Sequence, residues 1–151
     1  GLLHGPGGDL EGLDHKGADE KRDDDGDQDL LLGQEDAVNF KFYINDGNNI
    51  FIQNNSLLSG IQFANDHKPV FADTDNDGDY DLFLGTWNGF INYYENAGTK
   101  TVPQWSRNDS YTAGVRVKRF AAPGFADLDN DGRVDMIVCE QDGNFSFYKN
   151  I

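Results

Sequence analysis

At 151 residues the chain has the length of one domain, and its single cysteine permits no internal disulfide. A formal net charge of −15 argues against nucleic acid or an acidic membrane surface as partner. No stretch is long and apolar enough to cross a bilayer, so membrane insertion is not expected either.

The chain opens at Gly1 without methionine, and Leu2-Leu3 is too short for a signal peptide, which is the expectation for a processed or excised product and is consistent with secretion. Residues 1–18 belong to no repeated unit. An acidic stretch follows, Asp23-Asp24-Asp25-Gly26-Asp27-Gln28-Asp29, and then a short apolar run, Leu30-Leu31-Leu32. A returning strand alternates through Phe40 and Phe42 and ends in Tyr43-Ile44-Asn45. Further strands are expected at Ile50 to Gln53 and Ile61 to Ala64. The same order then recurs. Pro69 precedes Phe71-Ala72-Asp73, the acidic loop runs from Asp73 to Asp81, and Leu82-Phe83-Leu84 follows. Asn88-Gly89 favours a two-residue hairpin, and the returning strand carries Ile91 and Tyr93 on one face before Tyr94-Glu95-Asn96. A strand is expected from Val115 to Phe120, and Pro123 precedes Phe125-Ala126-Asp127. The last acidic loop, Asp127 to Asp135, leads into Met136-Ile137-Val138, the turn signal Asp142-Gly143, Phe145 and Phe147, and Tyr148-Lys149-Asn150.

From Gly26 to Gly78 is 52 positions and from Gly78 to Gly132 is 54, so the chain is an internal repeat. Short apolar runs without alternation fit strands buried on both faces, and no stretch sustains a helical period. The expected fold is all-β, built of about three antiparallel blades of β-propeller type, open or partial, with units at roughly 19–70, 71–124 and 125–151 of one repeat domain.

The two clearest loops share the pattern D-x-D-x-D-G-x-x-D. Carboxylates this dense repel one another unless a cation sits among them. Calcium suits the pattern, since it is a hard ion taking six to eight oxygens at flexible geometry, whereas magnesium prefers to keep its waters. In the second loop the expected ligands are Asp73, Asp75, Asp77, the Asp79 carbonyl and Asp81; in the third they are Asp127, Asp129, Asp131, the Arg133 carbonyl and Asp135. An arginine at the seventh position is tolerable because a backbone ligand accepts any side chain. The first loop is degenerate: Lys21 holds its first position, leaving Asp23, Asp25, the Asp27 carbonyl and Asp29, with Asp19 available to supply the missing oxygen. An EF-hand is excluded, because its bidentate glutamate at position 12 is replaced by Leu84 and Val138.

Phe71-Ala72-Asp73 through Gly85, followed by Tyr93-Tyr94-Glu95-Asn96-Ala97-Gly98-Thr99, resembles the FG-GAP/VCBS-type repeat of integrin α-subunit propellers and of many bacterial secreted and surface proteins. Phe125 to Asn150 is similarly close, and the first copy matches from about Asp23 to Gly47. The resemblance implies calcium held in a hairpin loop of each blade. Cys139 departs from the pattern, standing where the other copies have Gly33 and Gly85.

The function expected from these features is that of an extracellular or cell-surface calcium-binding protein, structural or adhesive, rather than an enzyme. His4, His15 and His67 lack metal-ligand spacing and read as solvent-facing loop residues, and no nucleophile–base motif is present. Cys139 reads as a small packed residue at the end of a buried strand. Sequons at Asn54, Asn108 and Asn144 license glycosylation in a compartment with the machinery. Three units are too few for a closed propeller, so the expected partners are copies of the chain itself, in a composite ring or a fibril, or else the remainder of a longer propeller. The alternatives are a lectin-like module binding glycans or protein, with Trp87 exposed for sugar stacking, and an accessory domain of a secreted hydrolase.

Overall fold

The three copies of the repeat fold in one register. In each, the apolar run after the acidic loop pairs antiparallel with the returning strand, setting Leu30 opposite Tyr43, Leu82 opposite Tyr94 and Met136 opposite Tyr148. The computed structural model describes residues 28–33, 40–48, 50–64 and 67–150. Among these residues the regular structure is all-β apart from a single 3-10 turn at Asn55–Leu58. The first sheet holds β1 (Leu30–Leu32), β2 (Lys41–Asn45) and β3 (Phe51–Gln53), in that spatial order. The second holds β4 (Lys68–Ala72), β5 (Asp81–Gly85), β6 (Ile91–Asn96) and β7 (Trp105–Arg107). The third holds β8 (Ala122–Ala126), β9 (Asp135–Cys139) and β10 (Phe145–Tyr148). Every pairing is antiparallel between neighbours in sequence, which short turns can connect. These are blade-like sheets, as the repeat period implies.

Several expected elements differ. Ile61 to Ala64 and Val115 to Phe120 are not strands, and Trp105–Arg107, which gave no clear signal in the sequence, is one. Val115 and Val117 are nevertheless buried, because their segment lies across the second sheet as a connector and not within a ladder of its own. The hairpins are wider than Asn88-Gly89 and Asp142-Gly143 predict. Thr86 donates its amide to the Phe90 carbonyl at 2.9 Å and Glu140 donates to Asn144 at 3.0 Å, so each loop has three residues and ends in a left-handed glycine, Gly89 (φ 87°) or Gly143 (φ 81°). This is a type I turn closed by a glycine bulge, the next commonest hairpin after the two-residue form.

Strand alternation gives each sheet two faces, and the sheets stack face to back. The front of the first sheet, carrying Leu31, Phe40 and Phe42, packs on the back of the second, carrying Phe71, Leu82, Leu84 and Tyr94. The front of the second, with Val70, Phe83, Ile91 and Tyr93, packs on Phe125, Met136 and Val138 of the third. Only β5 is buried at every position, as the apolar run predicts, because only the middle sheet is covered on both sides by described residues. β1 and β9 are buried mainly on one face.

The connectors between sheets pass over a glycine. A Cβ on Gly33 would lie 3.0 Å from the His67 carbonyl oxygen, and one on Gly85 would lie 2.1 Å from that of Ala121. His67 is therefore buried, contrary to the expectation of a solvent-facing loop residue; its Nδ1 accepts the Ala64 amide at 3.1 Å. Cys139 occupies the equivalent place in the third sheet and is exposed, not packed, because no described segment crosses that sheet's front.

Candidate metal centres

Both well-formed acidic loops take the same path. Asn76 and Asn130 are left-handed (φ 61° and 59°), as are Gly78 and Gly132 (φ 94° and 87°). Asparagine is among the few side chains that adopt this region readily, and glycine adopts it without cost from a Cβ. The turn folds backbone amides inward onto the carboxylates. Gly78 donates to Asp73 at 3.2 Å and Gly132 to Asp127 at 3.0 Å; Asp79 donates to Asp77 and Arg133 to Asp131, both at 3.0 Å. The amides at the sixth and seventh positions thus fix the side chains at the first and fifth.

In the second loop Asp73, Asp75 and Asp77 each offer an oxygen within 4.8 Å of the others. Burial raises the Asp73 pKa first of all, and like charge from Asp77 and Asp75 adds to that, against backbone hydrogen bonds that lower it. Its Oδ1 is buried and accepts no hydrogen bond. A desolvated carboxylate oxygen without a donor, in a cage of carboxylates alone, fits a hard divalent cation. Asp75 and Asp77 complete the trio from the exposed rim, and Asp79 is half-buried at the seventh position.

Asp81 lies beneath that trio, not within it. Its Oδ1 accepts the Asn96 amide at 2.9 Å, and its Oδ2 accepts the hydroxyls of Tyr93 at 2.8 Å and Thr74 at 3.0 Å. Burial, the dominant cause, pushes its pKa up to about 6 despite those donors. The same clamp recurs: Asp29 accepts the Asn45 amide at 2.9 Å, and Asp135 accepts the Asn150 amide at 2.9 Å. The ninth aspartate of each loop therefore ties the loop to the end of its returning strand. This places the asparagine of each Tyr-x-Asn, whose recurrence in the sequence carries no assigned role, at the clamp; the tyrosine serves packing between sheets, as Tyr94 does. The asparagine side chain in turn caps the following bend, as Asn96 Oδ1 does for the amides of Gly98 and Gln104.

The third loop gathers a different trio, Asp127, Asp129 and Asp135, again within 4.8 Å. Asp131 faces two cations: Arg133 at 3.0 Å and Lys149 at 3.3 Å, with Lys149 also paired to Asp129. The Arg133 amide, followed by Lys149 and the Arg133 charge, holds the Asp131 pKa below the usual carboxylate range. Lys149 stands between the tyrosine and asparagine of its unit, where the others have Ile44 and Glu95. One loop is thus uncompensated, while its neighbour carries its own counter-charge. Of the first loop's expected ligands, Asp19, Asp23, Asp25 and Asp27 lie outside the described residues; Asp29 is described, in the clamp.

Residues 73–138 match the family model described as an FG-GAP-like repeat. The matched stretch starts at the first ligand of the second loop and ends in β9, so the FG-GAP-like segment contains both acidic clusters. It covers less than half of the chain. No curated protein and no solved structure matches the chain. Among the described residues no helix is long and apolar enough to cross a membrane.

The sequons lie outside the acidic loops, that at Asn54 leading into the 3-10 turn and that at Asn144 leading into β10. Asn54 accepts from Ser56 and Asn108 from Ser110 within their own motifs, while Asn144 donates its amide to Glu140 at the third hairpin. The two tryptophans divide. Trp105 is half-buried, its indole donating to the Leu57 carbonyl at 2.8 Å, and serves packing; Trp87 is 55% exposed on the second hairpin.

Proposed function

We propose that this chain is a structural or adhesive module of the cell exterior whose FG-GAP-like blades are pinned by calcium. The observation that carries the reading is the pair of three-carboxylate clusters on matched left-handed loops, one of them holding a buried, unpaired Asp73 oxygen. Asp73, Asp75 and Asp77 would hold the ion in the second loop, with the Asp79 carbonyl and Asp81 to complete it; Asp127, Asp129 and Asp135, with Asp131 and the Arg133 carbonyl, would do so in the third. Bound calcium supplies charge compensation here, not chemistry. Extracellular modules with dissociation constants near 0.1–1 mM fill at the calcium level outside cells, which favours that location, and the three sequons agree with it.

Thermal unfolding tests this. At a hundredfold excess over the dissociation constant, each ion adds about 2.7 kcal/mol to stability. For a chain of this size that raises the melting temperature by roughly 5–10 °C per site. Asp77→Ala and Asp131→Ala should each abolish one site's share, whereas Asp24→Ala, outside the ligand positions, should change little. An identical melting temperature in calcium and in chelator would overturn the proposal. The two sites should also differ. Lys149 offsets part of the third loop's charge through Asp129 and Asp131, so Lys149→Gln should lower the calcium concentration that half-fills it by roughly two- to fivefold, leaving the second loop unchanged in the same calorimetric titration.

The exposure of Trp87 supports a second reading, glycan binding at the second hairpin. Quenching of its fluorescence by glycans would favour that reading, and Trp87→Ala should then remove the response.

A further inference from the structure

Asp81 and Asp135 hold the ninth position of two loops with the same pattern, yet only Asp135 joins the carboxylate cluster of its loop. The backbone clamp does not separate them, since Oδ1 of each accepts the asparagine amide of its own returning strand at 2.9 Å. The other oxygen does. Asp81 Oδ2 accepts hydrogen bonds from two hydroxyls, Tyr93 at 2.8 Å and Thr74 at 3.0 Å. Asp135 Oδ2 accepts the Leu128 amide at 3.2 Å instead. Neither hydroxyl has a counterpart in the third unit. Tyr93 pairs with Phe83 in the register where Phe147 pairs with Ile137, and Thr74 holds the loop position of Leu128. A carboxylate oxygen has room for about two hydrogen bonds, so the hydroxyls fill Asp81 Oδ2 while Asp135 Oδ2 keeps a place for a further partner.

We infer that Thr74 and Tyr93 are positioning residues that hold Asp81 back from the second loop's ion and thereby set that loop's calcium affinity. The inference rests on the calcium reading above and names what regulates one of its two sites. An ion that recruits Asp81 Oδ2 must displace a hydroxyl, and both hydroxyls belong to buried residues, where a hydrogen bond left unmade is costly. Tyr93 cannot swing aside to ease the exchange. Its ring is buried between Phe83 and Tyr111, with both centroids at 4.7 Å. Hydrogen bonds to a ligating carboxylate can also support metal binding, by fixing its orientation. Here the geometry favours competition, because the carboxylate that receives the hydroxyls is the one outside its cluster.

Calorimetric titration with calcium tests the inference, in an Asp131→Ala background that removes the third loop's site. Tyr93→Phe keeps the ring and removes the hydroxyl; Thr74→Val keeps the shape and does the same. Each should tighten calcium binding by the second loop roughly three- to tenfold, the worth of one hydrogen bond. In chelator each should instead lower the melting temperature, because Asp81 loses a donor. The opposite signs separate positioning from packing, since a packing defect would lower the melting temperature without tightening calcium. Should Tyr93→Phe not melt cooperatively, Thr74→Val carries the test. Unchanged or weaker calcium binding in a variant that does melt cooperatively overturns the inference and leaves the calcium reading standing. No calcium uptake by the unmodified chain overturns that reading, and this inference with it.

Discussion

Asp81→Ala should destabilise the protein by about 3–5 kcal/mol even in the presence of chelator. The carboxylate accepts three hydrogen bonds, from the Asn96 amide and from the hydroxyls of Tyr93 and Thr74, and all three donors belong to buried residues. Alanine strands each of them, and an unpaired buried donor costs about 1–3 kcal/mol. Asp81→Asn should be milder. Its carbonyl still accepts from Asn96, and its amide can donate to either hydroxyl once that hydroxyl rotates. Denaturant unfolding with and without calcium separates the two roles open to Asp81. A loss in chelator belongs to the clamp, and any further loss in calcium belongs to the ion. If Asp81→Ala is neutral in chelator and costly only in calcium, Asp81 is a ligand and the clamp carries nothing.

Gly89→Ala should cost at least about 4 kcal/mol and loosen the junction of the second and third sheets. Two effects combine. Gly89 has φ 87°, a region that costs a residue with a Cβ roughly 1–2 kcal/mol. Its Cβ would also stand 2.0 Å from the Val117 carbonyl oxygen, a backbone atom that cannot move without its chain. The Val117 amide donates to the Gly89 carbonyl at 2.9 Å, so pushing the connector away breaks that bond and uncovers Val115 and Val117. Gly143 supplies the internal control. It holds the same place in the third hairpin at φ 81°, with nothing within 4 Å of an added Cβ. Gly143→Ala should cost only the conformational part, about 1–2 kcal/mol. Equal losses at the two glycines in urea unfolding would show that the connector contributes nothing.

The contrast between these glycines shows what a local pattern can and cannot carry. Both read as the same turn signal, Asn88-Gly89 and Asp142-Gly143, and both form the same bulged hairpin. What separates them is a connector of the neighbouring sheet, which reaches one and not the other. His67 and Cys139 depart from what the sequence predicts for the same reason. His67 is buried because its segment crosses Gly33, and Cys139 is exposed because no described segment crosses the third sheet. Val115 to Phe120 has the composition of a strand, yet it lies as a covering strap, since burial against another sheet rewards the same residues as a ladder does.

The repeat, the strand that follows each acidic loop, the shared face of each returning strand, and the loops from which the carboxylate clusters are drawn are all legible in the chain. All of these follow from interactions within a few residues, or between adjacent strands, whose period is written directly in the chain. The tertiary structure alone decided how the ninth aspartate divides between cage and clamp, and that Lys149 compensates the third loop. Those outcomes depend on which atoms arrive from the end of another strand or from the next sheet. Burial and hydrogen bonding act on final neighbours in space, and spacing along the chain does not specify them.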